Sequence, residues 1–272
     1  MPSKNSAPIF ACSLFAAGLL AGGAASISAA EIALSNLTFS NFSIAPDSGA
    51  VDLLTNWEIE AYAEARNSLG EIDQDDEVSF NGGTVDANAR VTWAEANASA
   101  SAPSGNTPTL DVTGNANTDV EVPGEPKCKP AKWAYAESTG TLVNGFSLSG
   151  GSGSVPVTFS VNLDSSMAVS TDDCSSAQAW TELIFSFEIF DLVDNLVFFE
   201  RDRIECNGPN CSLTSALAPT LTTTRTLEFG TDYFFALQVD SESRAEVPLS
   251  PTALLLLAGL PLLARGRNRR HE

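Results

Sequence analysis

The chain has 272 residues, of which 34 are acidic and 14 basic, with a formal net charge of −20 and a single histidine. Nucleic acid and anionic lipid require clustered Lys and Arg, so this balance excludes both as partners of the body of the protein. Lys4, Arg265, Arg267, Arg269 and Arg270 lie at the two ends, which leaves the middle more acidic still, and His271 lies in the same tail. Without a histidine the middle cannot build Ser-His-Asp, Cys-His or histidine-zinc chemistry.

Residues 1–30 read as a secretory signal peptide. Lys4 gives a positive start, Ile9 to Ala25 is an apolar run, and Ser28-Ala29-Ala30 presents small residues to signal peptidase, so cleavage is expected after Ala30. A transmembrane anchor is the competing reading. The glycines in the run and the lack of positive charge after it favour removal.

From 31 to 245 the apolar period is two, the spacing that puts alternate side chains on opposite faces of a strand. Leu34 to Ile44 is a weak strand. Trp57, Ile59, Ala61, Ala63 and Ala65 then alternate with polar partners, and Asn67-Ser68-Leu69-Gly70 is a turn signal. Asp73, Asp75, Asp76 and Glu77 follow, between this turn and Asn81-Gly82-Gly83. Hard oxygen ligands on a loop suit Ca2+, although the spacing is not that of an EF-hand; a solvated hairpin loop is the other reading.

Val85, Ala87, Ala89, Val91 and Trp93 alternate again, after which Ala94 to Ala102 carry alanine on the opposite parity, implying a bulge or a loosely packed edge. Further strand candidates are Leu110 to Val122, Lys132 to Glu137, Thr141 to Leu148, Val155 to Leu163, Leu183 to Ile189, Leu196 to Phe199, Thr222 to Phe229 and Tyr233 to Val239. Roughly nine to eleven short strands with turn signals between them and no convincing helix argue an antiparallel β-sandwich of jelly-roll type, in one domain over 31–245. Trp57 and Trp93 share the parity of aliphatic neighbours and read as core, whereas Trp133 reads as the exposed one.

Cys12 leaves with the signal peptide, so Cys128, Cys174, Cys206 and Cys211 remain. An even count in an exported chain favours two disulfides among three pairings. Cys206 and Cys211 bracket the turn sequence Asn-Gly-Pro-Asn, which suggests Cys206 with Cys211 and Cys128 with Cys174. A four-thiolate metal site would usually show two close C-x2-C pairs, and they are absent. No catalytic residue is assigned. Two carboxylates suffice for glycoside hydrolysis, but with so many acids on outward positions a solvated acidic surface is the simpler reading.

The tail runs Val247, Pro248, Leu249, Ser250, Pro251, then an apolar block to Ala264, then Arg265, Arg267, Arg269 and Arg270. The prolines break regular structure, the Leu-rich block seeks hydrocarbon and the arginines hold the far end on the cytoplasmic side. At ~1.5 Å per residue the block reaches about 24 Å against a bilayer core of about 30 Å, a marginal span. A Pro-rich tether, a short apolar helix and an arginine cluster resemble the PEP-CTERM class of sorting signals, in its VPLPA-type variant, over 246–272. Ser250 intervenes where that variant places its second proline next to leucine. The resemblance implies export, brief anchoring in the inner membrane and processing by an exosortase-type protease.

The expectation is therefore a non-enzymatic, surface- or extracellular-matrix-associated structural or adhesive protein, with extracellular polysaccharide as a candidate partner. Two alternatives stay open: a carbohydrate-binding or carbohydrate-active secreted jelly roll, and a surface protein whose C-terminal anchor is never cut.

Overall fold

A computed structural model describes residues 30–54, 57–103, 110–123, 132–171, 178–191, 196–208, 211–214 and 217–247. The signal peptide before Ala30, the tail after Val247, and both Cys128 and Cys174 lie outside the described residues. In chain order the strands are β1 (Ala30–Pro46), β2 (Ala50–Leu53), β3 (Glu58–Asn67), β4 (Ile72–Ser79), β5 (Gly83–Val91), β6 (Ala94–Ala102) and β7 (Thr113–Pro123). They continue as β8 (Lys132–Ser149), β9 (Ser154–Ser170), β10 (Gln178–Asp191), β11 (Leu196–Asn207), β12 (Cys211–Thr214), β13 (Thr220–Glu228) and β14 (Asp232–Val247).

Two antiparallel sheets pack face to face, as the period of two requires. The first has the order β12-β9-β1-β7-β6-β5, with β13 also pairing β9; the second has the order β11-β10-β14-β8-β3-β4, with β2 pairing β8. The inward sets expected for β3, β9, β10 and β14 are all buried, among them Trp57, Phe159, Phe185, Phe187 and Phe235. Lys132 to Glu137 and Thr141 to Leu148 are one continuous strand, because Gly140 keeps β8 extended where the opposite sheet comes close. A Cβ there would stand 2.9 Å from the Ser99 carbonyl.

Three zones make up the core. Phe39, Phe42, Phe146, Phe159, Phe185, Phe187 and Phe235 fill one end, with ring centroids 4.9 to 6.3 Å apart for the pairs that touch. Alanines of β3, β5 and β6 fill the other. Between them lies a knot of buried hydroxyls. Ser35 Oγ is 2.8 Å from Thr118 Oγ1 and 2.6 Å from Ser241 Oγ, while Ser243 Oγ is 2.7 Å from Thr118 Oγ1 and 2.8 Å from Thr181 Oγ1. These groups come from both sheets and satisfy one another, which is the condition for burying them.

The parity switch at Ala94 is neither a bulge nor a loose edge. Thr92 and Trp93 form a two-residue turn, so β5 and β6 are the arms of a hairpin, with Val91 opposite Ala94 and Ala87 opposite Ala98. Every inward alanine of β6 is buried. In β1 a real bulge does occur: register with β9 shifts between Ser40 and Ser43, Asn41 takes φ 53°, and the inward set changes from Leu37 and Phe39 to Phe42 and Ile44.

Both sides of the sandwich are closed. On one side Cys206 of β11 bonds Cys211 of β12 and ties the edges of the two sheets together. On the other side, Asp73, Asp75, Asp76 and Glu77 are not a loop but the body of edge strand β4, exposed on both faces. Its inward carboxylates reach the free edge of β5. Glu71, Asp73, Asp75 and Glu77 accept the backbone N–H groups of Thr92, Arg90, Asn88 and Asp86 at 2.9, 2.8, 2.9 and 3.0 Å.

Candidate functional site

Sheet register sorts the polar residues into rows that cross the strands. On the outer face of the first sheet, Asn88, Asn97, Asn117 and Asn36 stand in one row over β5, β6, β7 and β1, and Ser166 and Thr214 continue it over β9 and β12. The next row along the strands is Arg90, Glu95, Asp119, Leu34 and Ala168. At that end of the sheet lies the Thr92-Trp93 turn.

Trp93 holds φ 76°, a left-handed conformation that a bulky side chain adopts only when its surroundings impose it. The restraints are identifiable. Thr92 N donates to Glu71 Oε2, Asn67 Nδ2 donates to the Thr92 carbonyl at 2.7 Å, and Glu121 N donates to the Trp93 carbonyl at 3.0 Å. The indole is half-buried, with Lys132 Nζ 5.4 Å from its centroid. It therefore belongs to the rim of the core, and the expectation that it packs like Trp57 is corrected by the turn.

Two open depressions flank this region. One of about 370 Å³ is bordered by Arg90, Trp93, Glu95, Asp119 and Glu121. The other, about 360 Å³, is bordered by Leu34, Asn36, Asn117, Asp119, Ser166 and Thr214. Asp119 is common to both. Burial, and then the neighbouring Glu121 and Glu95, push its carboxyl above the usual carboxylate range. A shallow groove on the other side of the Trp93 turn is bordered by Glu71, Asp73 and Arg90.

The outer face of the second sheet carries a different row: Glu64, Glu137, Glu242, Glu182 and Glu205 stand directly opposite one another over β3, β8, β14, β10 and β11. Like charges in cross-strand register repel, so compensation is required. Tyr62 donates to Glu64 and Tyr135 to Glu137, each at 2.7 Å, and Arg203 pairs with Glu182 and Glu205. Burial and the hydrogen bond to Glu64 push the Tyr62 hydroxyl up to about 12, and burial followed by Glu137 raises Tyr135 further. Glu242 has its carboxyl raised by burial, then by Glu137 and Glu182, although the Tyr135 hydrogen bond opposes this. Trp133 stands on this face, opposite Glu246, and is half-buried. This row lies on an open sheet and borders none of the cavities described above.

The residues expected to hold Ca2+ are not brought together. Asp73, Asp75 and Glu77 are strung along β4 at roughly 6.8 Å intervals, each occupied by a backbone amide, and Asp76 points to the other face, opposite Tyr62. Among the described residues no group of three or more His, Cys, Asp or Glu could hold a metal ion. The Cys206–Cys211 pairing is formed. Ala30 opens β1 opposite Pro123 and Val247 closes β14 opposite Lys132; the remaining tail residues lie outside the described residues. What sequence reasoning missed is the pairing of distant asparagines and glutamates into rows. The two hairpin arms about Trp93 were the one signal available.

Fold and site together define an antiparallel two-sheet β protein with cavities on a polar sheet face and an acidic ladder on the other. No family model, no curated protein and no solved structure matches the chain.

Proposed function

We propose that the protein is exported and serves as a surface- or extracellular-matrix-associated structural or adhesive protein, anchored briefly by residues 246–272 and released by an exosortase-type protease. The Cys206–Cys211 bond carries this reading. Disulfides persist in oxidising compartments and are rare in the cytosol. The bond sits between two terminal segments whose composition suits export and sorting. Repeated crossing of the chain between sheets, at β1 to β2, β4 to β5, β7 to β8, β8 to β9, β9 to β10, β11 to β12 and β13 to β14, supports a jelly-roll type of sandwich.

Intact mass of the protein recovered from medium and from membranes tests the proposal. Loss of residues 1–30, loss of the arginine end and oxidised cysteines are expected. A full-length chain with free thiols in the cytosol would overturn it, and an oxidised membrane species that keeps its tail would instead indicate an uncut anchor.

A carbohydrate-active jelly roll is the second reading, favoured by the carboxylate-lined cavity beside Trp93. Product release from purified polysaccharides would establish it.

A further inference from the structure

We infer that the outer face of the first sheet is a binding track for an uncharged linear polysaccharide, which starts on Trp93 and runs across the strands to Thr214. The choice of occupant rests on the matrix-associated reading above; the geometry does not.

Several observations converge on this face. The two cavities share Asp119 and so lie side by side, which makes them consecutive subsites and not separate pockets. The polar row, of which Asn36, Asn117, Ser166 and Thr214 border the second cavity, spans six strands, about 24 Å at roughly 4.8 Å per strand, a length suited to a polymer and not to one small molecule. Its members are amides and hydroxyls, which both donate and accept hydrogen bonds as sugar hydroxyls do. Asn36 and Asn117 stand directly opposite each other and both border the second cavity. Trp93 supplies the flat apolar platform that the apolar face of a sugar ring uses.

Charge selects among polymers. The flanking rows carry Asp86 and Asp164 on one side and, on the other, Glu95 and Asp119 against the single cation Arg90, which pairs with Glu95; in a chain of net charge −20 this balance disfavours an anionic polymer. Twist of roughly 20° per strand turns the row progressively, which a single flexible glycan strand can follow and a flat crystalline surface cannot. A peptide strand would add to a sheet edge, whereas this is a face.

The test is native electrophoresis of the full exported protein through gels containing dextran, a soluble β-glucan, polygalacturonate or chitosan. Retardation by dextran or β-glucan is expected. Trp93→Asn removes the platform while keeping a residue that tolerates left-handed φ, and Asn36→Asp with Asn117→Asp places charge in the row without changing shape. Each should raise the dissociation constant for the neutral polymer about tenfold. Glu205→Gln on the opposite face should leave it unchanged, and unaltered melting temperatures show that the variants are folded. Absence of retardation by both neutral polymers, retardation by polygalacturonate or chitosan alone, or neutral binding unchanged in both variants would overturn the track. Such failures leave the export reading standing, since intact mass does not depend on either sheet face; a cytosolic full-length chain that still binds would overturn export alone.

Discussion

Gly140 stands where the backbone of the opposite sheet comes close, and its tolerance for change is set by that backbone and not by a movable side chain. A methyl group would lie 2.9 Å from the Ser99 carbonyl and 3.1 Å from the Asn115 carbonyl. Overpacking a core usually costs about 1–3 kcal/mol, so Gly140→Ala should lower stability by that amount in a denaturant titration, even though alanine is a better strand residue in the abstract. Isolated residues of this kind were only partly legible in the sequence. The burial of Trp57 followed from its alternation with Glu58, but the hydroxyl knot could not. Ser35 meets Ser241 across 206 positions, and nothing near either residue announces the other.

Strands were legible where one face is greasy and the other wet, which is why β3, β9, β10 and β14 were read with the correct facing. β4 escaped because it has no buried face to print an alternation. Its carboxylates act as edge protection, occupying amides of β5 that would otherwise accept a strand from another molecule. Replacing Asp73, Asp75 and Glu77 together by Ala should therefore produce concentration-dependent association in sedimentation velocity, whereas Asp76→Ala, on the outward face of the same strand, should not. Acid should act in the same direction at the end of the zipper. Asn67 and then Thr92 hold the Glu71 carboxyl below its ordinary range. Its contribution is present above the unfolded value and lost as pH falls through the folded one.

At the scale of the molecule, the two sides of the sandwich are closed by different chemistry, a covalent bond on one and charged hydrogen bonds on the other. The bond closes a loop with a sequence separation of only 5, so chain entropy gives it about 2 kcal/mol. Cys206→Ser should lower stability by that much in oxidising buffer, read as the midpoint of a denaturant titration. The two-sheet architecture was legible because period two and turn signals recur along the chain. The rows on its faces were not, since a row exists only once each strand has its register, and register is decided by partners far away in sequence.

Strand β14 has a further consequence. It is paired along one side with β8 from Asp232 to Val247 and along the other with β10 from Tyr233 to Glu246. Tension between a held tail and a ligand gripped on the far sheet would load both ladders of that strand in shear. All of their hydrogen bonds would resist at once instead of opening one by one, so a pull along β14 would meet both of its neighbours together.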